Sequence, residues 1–323
     1  MKVVRSLVLS SLVLASTIFL SAEPDPTALL RNGRADEALR VLNSRIQKDP
    51  NDAAAYSLMS RVYFQLEDWD DAIRAGEKSV ALSAQEGEYH QWLGRAWGKK
   101  AEAAGPVTAL NLVRKVKAEF EKAVALDPAG KNLSARVDLA EFYIEAPYVM
   151  GGDKTKAKHL AAFVMTRDRA LAYYILGRLE EKENAKIRAE QQFKAAIEAS
   201  GNLADYWVAL ASFYQRTGQL DAMETAVTTS LTAPRKDSIP LFDGGSVLLR
   251  GGRNFQGAIH MFQQYLVLDD PAEDGPAFQA HYFIGLMLEK QGDAKAAAGE
   301  YRAALALASQ FRPAQAGLAR VSQ

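Results

Sequence analysis

The chain has 323 residues, 48% apolar and 24% charged, the balance of a folded soluble protein, which excludes wholesale disorder. Lysine plus arginine and aspartate plus glutamate each number 39, so no charge surplus marks a nucleic-acid partner. Cysteine is absent, which excludes disulfides, cysteine-ligated zinc, thiol catalysis and a lipid-modified N-terminal cysteine.

Residues 1–22 form the first unit. Lys2 and Arg5 precede an uncharged apolar run over 6–20, and Ser21-Ala22 offer a small-residue cut before Glu23. That is the pattern of a secretory signal peptide, too short and too serine-rich for a convincing membrane span. The expectation is export, with a periplasmic mature chain beginning at or near Glu23. A secreted form, and one held by an uncleaved N-terminal anchor, stay open as alternatives.

A repeated shape follows. Residues 120–128 read FEKAVALDP, and residues 34–50 share that shape through Ala38, Leu42 and Pro50. Trp92-Leu93-Gly94 with Trp97 matches Leu176-Gly177, Leu210-Ala211 with Tyr214, and Ile284-Gly285 with Leu288. These residues resemble the tetratricopeptide repeat, W-x2-L-G-x2-Y, then A-x3-F, then P, over about 34 residues. The resemblance implies an all-α fold, an α-α superhelical solenoid of helix pairs, and a protein-binding scaffold with no catalysis.

In that register, residues 24–52 form a partial opening unit. Full units cover 53–86, 87–130, 131–169, 170–203, 204–238, 239–277 and 278–311, and 312–323 form a capping helix. Small residues such as Gly177, Ala189 and Ala196 are expected to let paired axes approach, with Tyr173 and Phe193 filling the space between neighbours. One pair cannot bury its apolar face alone, so stacking supplies the core.

Two units exceed the template. One carries about ten extra residues near Gly98 to Val113, the other about five near Glu145 to Gly152. The second insertion, EAPYVMGG followed by DKTKA, superficially resembles a phosphate loop. Such a loop needs G-x4-G-K-[ST] after a buried strand. Here Asp153 separates Gly152 from Lys154 and the preceding segment is helical, so the stretch reads as a turn: Pro147 stops one helix, Gly151-Gly152 reverse the chain, and Asp153 caps the next. Together with AEFEKAVALDP it also resembles a group of exported bacterial tetratricopeptide proteins, a likeness that implies a periplasmic setting and no reaction.

Chemistry is sparse elsewhere. His90, His159, His260 and His281 sit in separate units without a second ligand at i+3 or i+4, so packing or surface roles are expected. Glu180-Glu181 and Glu183, with Lys182 among them, read as a solvated helix face. No active site, metal or cofactor is expected.

In this architecture the first helix of each pair lines a concave face. The ninth residue of three units is Arg61, Arg95 and Arg178, with Glu141 in the same row in unit 131–169, while Tyr174 and Tyr282 stand one turn earlier in theirs. These six are the candidate groove residues. Arginine and tyrosine are side chains that interfaces favour, although arginines placed for solubility would look the same. The expected occupant is a peptide or protein segment with acidic side chains or a free carboxylate, which arginine grips in a bidentate fork; Glu141 leaves room for one basic residue. The alternative is an accessory subunit of an envelope assembly, secretion or polysaccharide-export complex, bound through its outer face or its insertions.

Overall fold

The computed structural model describes residues 24–268 and 272–322. The expected leader at 1–22 lies outside the described residues. Two opening helices, α1 (Pro26–Arg31) and α2 (Ala35–Lys48), precede seven antiparallel pairs. The first three pairs are α3 (Ala53–Gln65) with α4 (Trp69–Leu82), α5 (Gly87–Glu102) with α6 (Pro106–Leu126), and α7 (Leu133–Glu145) with α8 (Lys154–Met165). Then come α9 (Arg169–Lys182) with α10 (Lys186–Ala199) and α11 (Ala204–Arg216) with α12 (Leu220–Ser230). The last two are α13 (Ile239–Gly251) with α14 (Phe255–Leu266) and α15 (Ala277–Lys290) with α16 (Ala294–Leu307), followed by α17 (Arg312–Val321). The described residues contain no strand.

Helix boundaries follow from short polar side chains. Asp52, Asp68, Asp168 and Asp293 each accept a backbone N–H from the first turn of the helix they precede, at 2.8–3.4 Å, satisfying donors that a helix start leaves unpaired. Within pairs, an aromatic of the second helix closes onto a glycine of the first. A Cβ on Gly94 would stand 2.6 Å from Phe120, on Gly177 3.0 Å from Phe193, and on Gly285 2.6 Å from Tyr301. Ala189 and Ala196 are fully buried beside them. The second insertion is a turn. A single 3-10 turn, Tyr148–Met150, leads into Gly151 at φ 97°, and Asp153 accepts from Thr155 and Lys156 N–H. A Cβ on Gly152 would overlap the Ala146 carbonyl oxygen, so that position admits no side chain. The first insertion is no loop: it lengthens α5 to 16 residues and α6 to 21.

Curvature comes from unequal layers. From α3 to α15, each odd-numbered helix touches the next odd-numbered one, whereas among the described residues the even-numbered helices from α4 to α14 do not touch each other. The bend carries the array round until its ends meet, and there α2 packs against α16. Leu29, Leu30, Leu42 and Val62 share one buried cluster with Phe278, Tyr301, Ala304 and Phe311. Gln65 donates to the Glu273 carbonyl at 2.8 Å, and Gln279 donates to the Gln65 carbonyl at 2.8 Å. Asp36 accepts from the Ser309 N–H at 3.0 Å. At Gly33, φ 65°, an added Cβ would lie 2.6 Å from the Ala277 nitrogen, so glycine permits both the left-handed turn and the approach. The solenoid is a closed ring, and its concave face is the wall of a central lumen.

Candidate functional site

The arginine row lies on the lumen wall, but none of its members is a free cation. Arg61 donates through Nε to Glu273 Oε1 at 2.7 Å, through a second nitrogen to the same carboxylate, and through Nη1 to Glu88 at 2.9 Å. Its guanidinium also stands 5.1 Å from the Trp92 ring. Glu273 belongs to the segment before α15, so this fork ties the first full unit to the end of the penultimate one across the seam. Arg95 lies 4.5 Å over the same Trp92 ring and donates to Asp138 at 2.7 Å, where Gln91 also donates.

Arg178 is the centre of a larger network. It donates to Glu141 at 3.0–3.2 Å, to Glu145 at 2.8 Å and to Glu181 at 2.9 Å. Burial works against its charge, but Glu141 and Glu181 outweigh that effect and hold its pKa above the ordinary arginine value. Lys182 adds a second cation to Glu145, and Arg216 forks onto Glu181 at 2.7 and 2.8 Å. Glu141 is thus the partner of the arginine one unit on, rather than a break in the row. Tyr174 stands edge-on to Phe193, centroids 6.1 Å apart, and burial followed by the Glu141 charge raises its phenol pKa. Tyr282 is not grouped with these five. It packs against Phe311 and Tyr301 at the seam, with centroids 5.3 and 6.0 Å away. The expectation of open guanidinium groups awaiting an acidic segment is therefore corrected: neighbouring units supply the carboxylates.

Three further features were not singled out from sequence. Asp243, on α13, is exposed to the lumen yet hemmed in by protein, which together with the charge of Asp274 pushes its pKa up to about 7 against the pull of Arg250. The segment holding Glu273 and Asp274 reaches inward from the last pairs; its acidic letters were visible, but its destination depends on ring closure. The third is a cavity of about 740 Å³ opening on the lumen, walled by α3, α5, α6 and α7. The two insertions, and Gly98 inside a helix but off the glycine–aromatic register, were the signals for it. Among the described residues no group of three or more histidines and carboxylates could hold a metal ion. His90 Nδ1 instead lies 2.6 Å from Glu119, and His281 Nδ1 lies 2.7 Å from Glu300.

Comparison with known proteins bears on the repeats. The tetratricopeptide repeat family matches residues 29–95 and again residues 242–310. Among solved structures, MamA is 21% identical over 55% of this chain and 95% of its own, with a TM-score of 0.43. PilW, a widely conserved type IV pilus biogenesis factor, is 17% identical over 63% of this chain and 87% of its own, with a TM-score of 0.47. A tetratricopeptide repeat protein from Parabacteroides merdae is 11% identical over 92% and 96%, with a TM-score of 0.42. With two matches to the repeat family and an unbroken run of helix pairs between them, the chain is a tetratricopeptide-repeat protein.

Proposed function

We propose that this protein is a non-catalytic interaction scaffold of the bacterial envelope, and that it engages a partner protein through the exposed turn of its second insertion. The coarse part follows from the family, whose helix-pair arrays bind proteins or peptides. One observation carries the choice of surface: Tyr148 and Val149 are 89% and 84% exposed on a turn pinned by Gly151 and Gly152, whereas the lumen arginines are already paired. An aromatic and a branched aliphatic held out on an ordered turn suit an interface anchor. The envelope setting rests on the sequence of residues 1–22. No helix among the described residues is long and apolar enough to cross a membrane.

The test is capture from envelope extract. Mature chain should retain a partner that Tyr148→Ser with Val149→Ser loses, with unchanged melting. A second reading, a partner segment within the lumen, is favoured by the cavity there. It takes over if the double variant retains the partner and a variant with the cavity filled does not. Export has its own check: intact mass from the envelope fraction should begin at or near Glu23, and a full-length, membrane-integrated species would contradict it.

A further inference from the structure

We propose that the cavity between the two lengthened units is a binding site for a small hydrophobic ligand with a cationic head, such as an aryl or alkyl amine. This is separate from the reading of the exposed turn as a partner surface. Both departures from the repeat template converge on this cavity: Gly98 and Val113 come from the first insertion, Pro147 from the second. At about 740 Å³ it falls within the range of roughly 300–1,000 Å³ usual for small-molecule sites. Its walls are mainly apolar, with Phe64, Val113, Val116, Phe120, Phe142 and Pro147 as the large surfaces. That apolar wall, with charged groups also in the lining, suits an apolar body carrying a polar head.

Gly98 gives an independent reason to treat the space as kept open. Glycine inside a helix costs about 0.5–1 kcal/mol relative to alanine. Gly94, one turn earlier in α5, is required by the ring of Phe120, 2.6 Å from where its Cβ would be. Gly98 has no such requirement, because a Cβ there would meet nothing within 4 Å. Packing does not explain this glycine, but an empty cavity wall does.

The sign of the head group follows from the lining charges. Five carboxylates border the cavity (Glu102, Asp138, Glu141, Glu145 and Asp274) against two cations, Arg95 and Lys99. Arg95 is held on Trp92 by Asp138, and Lys99 pairs with Glu102 at 2.9 Å. Glu141 and Glu145 share Arg178 with Glu181, and Lys182 and Arg216 add cations to Glu145 and Glu181. No lining cation is left to meet an anionic ligand, whereas an ammonium entering from the lumen meets Asp274, the lining carboxylate whose charge already bears on Arg61 and Asp243.

Two fluorescent probes with similar naphthyl bodies and opposite charges test this: dansylcadaverine, an amine, and dansyl-6-aminohexanoate, a carboxylate. Added to the mature protein, the amine should bind with a blue-shifted, enhanced emission, about tenfold or more tighter than the acid, the equivalent of roughly 1.4 kcal/mol. Gly98→Ala adds one methyl and should keep binding, while Gly98→Leu projects a branched side chain into the cavity and should weaken binding about tenfold or more. Both variants should melt no lower than the parent. No binding of the amine, equal binding of the two probes, or amine affinity unchanged by Gly98→Leu would each overturn the proposal.

Discussion

The α9–α10 pair and the α5–α6 pair make the same central contact and use it differently. In the first, two 14-residue helices close with Phe193 fully buried over Gly177. In the second, Phe120 closes over Gly94 in the same way, but the helices run on to 16 and 21 residues, and their extra turns wall a cavity. The added length lies beyond the contact that joins the pair, so pairing does not depend on it. What the template requires holds the ring together, and what departs from it shapes the lumen.

The largest effect is expected where the regular and lengthened regions meet. Arg178 extends from α9 to the carboxylates of α7 and is 13% exposed. Arg178→Leu keeps bulk but leaves Glu141, Glu145 and Glu181 short of a cation, and should cost about 3 kcal/mol in urea denaturation. For the same reason, Arg178→Glu in any binding assay would confuse lost stability with lost affinity. A midpoint unchanged by Arg178→Leu would mean that the two regions are not joined through this network.

Two glycines one turn apart in α5 give a matched test. Gly94→Ala places a methyl against Phe120 and should cost about 1–3 kcal/mol by overpacking. Gly98→Ala meets no atom and should stabilise by about 0.5–1 kcal/mol through helix propensity. Thermal melts that shift in the same direction for both would show that the lengthened pair is packed differently.

The smallest effect is a pH dependence. His90 joins α5 to Glu119 of α6, and that hydrogen bond raises its pKa, against burial and the charge of Lys122. A histidine whose folded pKa is raised stabilises fully below its unfolded value, about 6.5, and the contribution fades as pH rises through the folded value. The melting difference between the parent and His90→Gln should therefore be larger at pH 5.5 than at pH 8.5. Equal differences at both would remove the charged pair from the account.

The fold class was legible because glycine–aromatic pairs recur at a fixed period, as Gly177 with Phe193 and Gly285 with Tyr301 do. The second insertion was legible as a turn because Pro147, Gly151 and Asp153 each have a single local use. Closure was not legible. It is the sum of small rotations over many units, and its contacts join residues as far apart as Arg61 and Glu273. For the same reason the row of arginines could be placed on the inner wall, but its pairing could not. Whether Glu141 interrupts the row or neutralises Arg178 depends on how adjacent units face each other, which one unit's spacing does not contain.

Ring closure is the central claim, and the absence of cysteine makes it directly measurable. Spin labels at Arg40→Cys on α2 and Arg302→Cys on α16 sit on exposed positions of helices that touch only at the seam. Packed helices lie about 8–10 Å apart, so double electron–electron resonance should give one narrow distribution at about 30 Å or less. An open array, with the labels seven units apart along it, would place them roughly 60 Å or more apart, and a broad distribution in that range would contradict the ring.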